Sequence, residues 1–113
     1  MVRTRLLVFS MTPEGKVKAR VDKILKAANC AYWHKAVLNG MGTPTLDYTG
    51  CSYGRYFAIE TKAFGEVPTK RQQLTIAQME AAGATVFVII GADKDNTHLV
   101  GDIELCLFLH VQC

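Results

Sequence analysis

Residues 44–62, PTLDYTGCSYGRYFAIETK, decide the fold of this chain. Their second half is rich in aromatic and β-branched residues, which predicts a strand over 55–62. The glycine-containing turn before that strand predicts that the segment holding Asp47 folds back beside it. Alternate side chains of a strand share a face, so Glu60 and Lys62 are expected to point the same way. The stretch therefore predicts two carboxylates and an ammonium group in one cluster.

Such a cluster has a chemical use and a structural alternative. Two carboxylates a few ångströms apart repel each other unless a cation lies between them. Hard oxygen ligands suit Mg²⁺ or Mn²⁺, which can polarise a phosphoryl oxygen and activate a bound water. A lysine beside them can orient that water or neutralise charge on a phosphate. The alternative is an ordinary ion pair between Glu60 and Lys62 on a solvated strand face.

The cluster belongs to a longer pattern. An Asp is followed by a glycine-rich hairpin, an Ile-Glu-x-Lys-Ala strand and a Pro-Thr-x-x-Gln entry into a helix, which here are Asp47, residues 50–54, residues 59–63 and residues 68–72. This pattern resembles the VRR-NUC domains of the PD-(D/E)xK nuclease superfamily, in their small stand-alone phage and bacterial form. The similarity covers roughly residues 12–90. The family usually has a proline directly before the Asp, whereas Leu46 stands there in this chain.

The resemblance implies an α/β fold and a metal site. The fold would be a restriction-endonuclease-like αβββαβ core, with a mixed central sheet flanked by helices. Asp47, Glu60 and the backbone carbonyl of Thr61 would bind Mg²⁺ or Mn²⁺. Lys62 would position or activate the attacking water.

Two residues outside the stretch have both a functional and a structural interpretation. In the resembled family, an acid on the first helix supports a metal or a water, and Glu14 matches it. Glu14 also complements the helix dipole in the first turn. Gln72 matches the family's glutamine, which orients the nucleophile, but it is also a good helix former for an exposed face.

The function that the resemblance implies is a metal-dependent, structure-selective DNA endonuclease. We expect a Holliday (four-way) junction resolvase acting as a homodimer, since a two-fold dimer can make two symmetric cuts. The apolar tail, residues 97–113, is the candidate for part of the dimer interface. The alternatives are a nuclease for flap or linear DNA, a non-catalytic nucleic-acid-binding module, and a structural or regulatory α/β domain.

The charge distribution fits a DNA partner. The net charge is only +3, but residues 1–40 carry eight lysines and arginines against two carboxylates. A basic surface suits a phosphate backbone, although a solvated helix face gives the same pattern. Near the hairpin, three tyrosines can stack on bases or pack in the core: Tyr48, Tyr53 and Tyr56. The residues expected to bind DNA are Lys16, Arg20, Lys23, Lys35, Lys70 and Arg71.

Length and cysteine usage bound the remaining possibilities. We expect one domain over residues 1–113. No apolar run approaches the ~20 residues that span a bilayer, so no membrane is expected. The cysteines lack the spacing of a zinc site. Reduced thiols in the cytoplasm of a bacterial or phage-infected cell are therefore the expectation.

The predicted order of elements is helix, strand, hairpin, helix, strand. Thr12 and Thr69 are expected to cap the two helices, which end near Asn29 and Gly83. The remaining predicted segments are a first strand at 4–10, a strand at 31–37, a loop at 39–42, a strand at 84–90, a turn at 91–96, and a tail at 97–113 that is either a strand or a buried helix.

Overall fold

A computed structural model describes residues 11–37 and 43–113. The strand predicted at 4–10 and the loop predicted at 39–42 lie outside the described residues. The elements, in chain order, are α1 (Pro13–Ala27), β1 (Ala31–Lys35), β2 (Tyr48–Ser52), β3 (Arg55–Lys62), α2 (Lys70–Ala81), β4 (Thr85–Gly91), β5 (Leu99–Val100) and α3 (Asp102–Leu109).

Both predicted helix starts are confirmed at their caps. The Thr12 hydroxyl accepts a hydrogen bond from the Gly15 amide at 3.0 Å, and a proline occupies the first helical position. At α2, Thr69 and Gln72 form a reciprocal capping box. The end of α1 differs from the prediction by one residue, because Ala28 rather than Asn29 caps it.

One mixed sheet of five strands runs in the order β1-β2-β3-β4-β5. All neighbouring pairs are antiparallel except β3 and β4, which are parallel and joined through α2. The β2–β3 turn consists of Tyr53 and Gly54, both with positive φ, which matches the right-handed twist of a two-residue hairpin. The predicted hairpin, and an α/β domain with a mixed sheet and flanking helices, are thereby confirmed.

The two faces of the sheet differ. The core face carries Tyr48, Phe57, Ile59 and Ile89, which pack with buried residues of α1 and α3. Strand alternation and the observed register place the opposite set of side chains together on the other face. We call this the open face; in β1 to β3 it comprises Tyr32, His34, Thr49, Cys51, Tyr56, Ala58, Glu60 and Lys62. Tyr56 meets Met79 and Ala82 there, so α2 lies on the open face, on its β4 side.

Tyr48 links the hairpin to α1. Its ring is fully buried, and its hydroxyl donates to a carboxylate oxygen of Asp22 at 2.7 Å and reaches the carbonyl of Lys18 at 3.2 Å. Burial and the hydrogen bond to Asp22 raise the pKa of the Tyr48 phenol. Of the three tyrosines near the hairpin, Tyr48 is therefore a core residue, while Tyr53 and Tyr56 are about half exposed.

The tail forms a helix, which settles the alternative that the sequence left open. Leu105 and Leu109 of α3 are buried, whereas Ile103 and Leu107 are exposed. The two-residue strand β5 precedes this helix and was not predicted.

The expectation that all four thiols are reduced is not met. Cys106 and Cys113 form a disulfide with a Cα–Cα distance of 6.0 Å, while Cys30 and Cys51 are free. The bond is possible because His110 adopts a left-handed conformation after α3 and turns the chain back. In the described part of the chain, no helix has the length and apolar character needed to cross a membrane.

Candidate active site

Asp47 lies directly before β2, where the hairpin brings it beside the end of β3. One of its carboxylate oxygens accepts hydrogen bonds from both the amide and the hydroxyl of Thr61, each at 2.8 Å. Two donors on one oxygen fix the orientation of the carboxylate. The hairpin therefore places Asp47 where the sequence predicted it, next to the Glu60–Lys62 segment.

Glu60 and Lys62 share the open face and form an ion pair with 3.6 Å between Nζ and Oε2. The glutamate is only 3 % exposed. Its burial, first, and the charge of Asp47, second, raise the pKa of Glu60 to about 7, although Lys62 and the amide of Asp47 act in the opposite direction. The pair is therefore not the solvated surface ion pair of the structural alternative. It is a buried acid held close to a second acid.

Glu14 approaches the same end of the sheet from the first turn of α1. Its carboxylate binds Lys18 at 2.7 Å, and the Lys18 ammonium group is 3.7 Å from the other oxygen of Asp47. Partial burial lowers the pKa of Lys18, but the hydrogen bond to Glu14 and the charge of Asp47 raise it overall. The Glu14 charge also contributes to the raised pKa of Glu60. The structure thus brings Glu14 to the predicted site.

Lys18 is a site residue that the sequence analysis missed. It stands four residues after Glu14, a spacing that puts two side chains on the same face of a helix. That spacing was a readable signal, but the residues of α1 that we predicted to bind DNA were Lys16, Arg20 and Lys23. Lys18 supplies a second ammonium group at the site, on the side of Asp47 that faces α1.

The donor set suits a hard divalent cation. The N–H and C=O of a strand residue point toward the same neighbouring strand. Because the Thr61 amide donates to Asp47, the Thr61 carbonyl also faces the Asp47 side of β3. Asp47, Glu60 and this carbonyl offer oxygen ligands only, which is the chemistry that Mg²⁺ and Mn²⁺ prefer. Within residues 11–37 and 43–113, no group of three or more Asp, Glu, His or Cys side chains is gathered in a metal-binding arrangement. The fit therefore rests on two carboxylates with a main-chain oxygen.

Gln72 is engaged elsewhere. Its side-chain oxygen accepts a hydrogen bond from the Thr69 amide at 2.9 Å, as part of the capping box. Among the residues that the structure describes, no hydrogen bond joins the Gln72 side chain to Asp47, Glu60 or Lys62. The structure thus gives Gln72 a helix-capping contact, and its predicted role toward the nucleophile requires release of that cap.

The residues predicted to bind DNA divide into two groups. Lys35 binds Asp22 at 2.9 Å on the core face, and Arg20 lies 3.9 Å from Asp102. The charges of these two residues are already compensated within the fold. The other four are exposed at the surface and form no ion pair in the described ranges: Lys16, Lys23, Lys70 and Arg71.

Asn96 anchors the loop that follows Lys62. The side-chain oxygen of this buried residue accepts a hydrogen bond from the Phe64 amide at 2.8 Å. A Cβ atom at Gly91 would collide with that same oxygen and would approach the Phe64 amide to 3.0 Å. Glycine is therefore required at the end of β4 for this anchor, which fixes the path of the loop after Lys62. No sequence motif signalled this contact.

No protein-family model matches the chain, and no curated protein matches its sequence.

Proposed function

We propose that this chain is a metal-dependent endonuclease that hydrolyses phosphodiester bonds in DNA. The observation that supports it is the meeting of Asp47, Glu60 and Lys62 at one end of the sheet, with the buried Glu60 carboxylate beside a second carboxylate. A buried carboxylate beside a second carboxylate costs free energy unless cations compensate both. Here the two ammonium groups of Lys18 and Lys62 face three carboxylates: Glu14, Asp47 and Glu60. Such an arrangement is more easily explained by a cation site than by a contribution to the stability of the fold.

Each side chain has a separate task in this proposal. Asp47, Glu60 and the Thr61 carbonyl would hold Mg²⁺ or Mn²⁺. The bound ion would polarise a phosphoryl oxygen and lower the pKa of a bound water. Lys62 orients that water and neutralises charge that develops on the phosphate. Lys18, itself held by Glu14, lies behind Asp47 and would help to hold its carboxylate in place.

The finer assignment is to the VRR-NUC domains of the PD-(D/E)xK superfamily. The order of α1, β1 to β3, α2 and β4 supports a restriction-endonuclease-like αβββαβ core, to which β5 and α3 are additions. The substrate that follows from this assignment is branched DNA, with the four-way junction first. The exposed tail residues Val100, Ile103 and Leu107 support a homodimer in which α3 forms part of the interface.

The test is cleavage of a labelled four-way junction, beside a linear duplex and a flap, with Mg²⁺, with Mn²⁺ and with chelator. Glu60→Gln and Lys62→Ala are the site variants. Their matched controls are Glu66→Gln and Lys26→Ala, which change exposed residues of the same charge. Sedimentation of the parent protein and of Leu107→Glu measures the dimer in parallel.

The expected result is metal-dependent paired cutting of the junction that both controls retain and both site variants lose. Cutting of flap or linear DNA instead would keep the chemistry and reject the junction. Junction binding without cleavage in either metal would reject the enzyme and leave a nucleic-acid-binding module.

A further inference from the structure

Two exposed tyrosines lie in one row across the open face. Tyr32 of β1 is paired with Cys51 of β2, and Cys51 is paired with Tyr56 of β3. Cross-strand partners project their side chains to the same side of a sheet. Tyr32 is 76 % exposed and Tyr56 is 49 % exposed, whereas Tyr48 on the core face is fully buried. The row therefore presents two aromatic rings to the solvent.

The row is connected to the candidate active site by a strip without negative charge. Tyr56 and Glu60 are four residues apart in β3, so their Cα atoms are separated by about 13 Å along the strand. The cross-strand row between them consists of His34, Thr49 and Ala58. His34 and Thr49 contact each other at 3.1 Å. Thr49 and Ala58 are buried, so His34 is the residue of this row that reaches the surface, and the row places no carboxylate between the candidate site and the tyrosines.

Helix α2 borders the strip and adds features that suit a nucleic acid. Lys70 and Arg71 are exposed at its first turn, which follows the loop after Lys62. At its other end, a shallow pocket of about 280 Å³ lies beside the Tyr56 ring and is lined by Met79, Ala82 and neighbouring residues. Helix α2 thus carries exposed cations at its first turn and an apolar pocket beside Tyr56 at its last.

We propose that Tyr32 and Tyr56 form a platform that stacks on unpaired bases of the DNA substrate, with Tyr56 about 13 Å along β3 from Glu60. Stacking on exposed aromatic rings is the usual way in which proteins hold single-stranded bases without reading their sequence. The proposal rests on the proposed function and favours DNA with unpaired nucleotides next to the cleavage site, such as a flap, over a fully paired four-way junction. It also explains why aromatic side chains are exposed on the same face as the buried acid.

Binding in chelator tests the platform separately from the chemistry, since no cleavage occurs there. The probes are a short fluorescent oligothymidylate and an abasic strand of the same length, which has the same phosphates and no bases. The variants are Tyr32→Ala and Tyr56→Ala, with Tyr32→Phe and Tyr56→Phe retaining the rings. Leu74→Ala is the control for loss of another exposed apolar side chain, on α2.

Each alanine variant should weaken oligothymidylate binding roughly 5- to 150-fold and leave binding of the abasic strand unchanged. The phenylalanine variants and Leu74→Ala should bind like the parent. A 2-aminopurine base in the strand should lose fluorescence on binding the parent and regain it with the alanine variants.

Equal weakening for both strands, or none for either, would overturn the platform. Loss of self-association in Tyr32→Ala with unchanged DNA binding would also overturn it, and would assign the row to contact with a second copy of the chain. If the parent stacks on bases but cuts no DNA in Mg²⁺ or Mn²⁺, the platform stands and the proposed nuclease fails.

Discussion

Replacing Glu60 by glutamine tests whether the ionised form of this acid destabilises the metal-free fold. Glutamine has the shape of the protonated glutamic acid and carries no charge. The pKa of Glu60 in the folded protein is about 7, whereas the ordinary value is 4.5. Between these values the folded state keeps a proton that the unfolded state has released. The metal-free protein should therefore lose stability as the pH rises from 4.5 to 7.

The size of this loss of stability follows from the difference between the two pKa values of Glu60. It corresponds to a destabilisation on the order of 3 kcal/mol by ionised Glu60 above pH 7. The glutamine amide must find its own partner in a buried site, which offsets part of this gain. We expect Glu60→Gln to unfold with a free energy about 1–2 kcal/mol higher than the parent at pH 8. At pH 4.5 the parent acid is protonated and only the cost of the amide remains, so the variant should be about 1–2 kcal/mol less stable than the parent. That gain would raise the melting temperature by about 4 °C per kcal/mol.

The assay is urea denaturation in chelator at closely spaced pH values from 4.5 to 8.5, with Glu66→Gln as the exposed control. A second series with Mg²⁺ should stabilise the parent by about 1.4 kcal/mol at ten times the dissociation constant, and should leave Glu60→Gln unchanged. If Glu60→Gln is less stable than the parent at pH 8, or if their difference does not vary with pH, then Lys62 fully compensates the carboxylate. The reasoning for a cation site would then be wrong.

Three further changes test other contacts. Lys18→Ala should cost the metal-free protein less than about 1 kcal/mol, because the ion pairs are partly exposed. It should nevertheless lower the cleavage rate at least about tenfold relative to the exposed control Lys26→Ala, and equal rates would remove Lys18 from the site. Thr69→Ala should lower the free energy of unfolding by about 1 kcal/mol, while Thr45→Ala, at an exposed position outside the helices and strands, serves as comparison. Cys113→Ser should cost about 2–3 kcal/mol in urea denaturation without reductant and nothing with dithiothreitol, and an equal cost in both would show that the bond adds no stability.

The parts of the fold that were predictable have strong local signals. Thr12 and Thr69 are capping residues followed by helical spacing, and the glycine turn before β3 specifies a hairpin. These signals act within a few residues, so the sequence alone determines them. The pairing of Asp47 with the end of β3 followed from the hairpin, because a two-residue turn fixes the register of the strands.

The parts that were missed depend on contacts between distant segments. The tail is apolar on both sides, with Leu105 buried and Leu107 exposed, so its helical period was hidden. The Cys106–Cys113 bond depends on where α3 ends, which the spacing of the cysteines does not reveal. Lys18 became a site residue only when α1 was placed against the hairpin.

The sheet follows the order of the chain, and this has a consequence for how the protein folds. Every strand lies beside the strand that precedes it, so few long loops must close before contacts form. Asp47 and Glu60 are joined by one hairpin, a unit that forms within about 1–10 μs. The carboxylates of Asp47 and Glu60 should therefore come together before the helices pack on the sheet. Pulse-labelled hydrogen exchange should protect the Thr61 amide no later than the amides of α3, and later protection of Thr61 would reject this order of events.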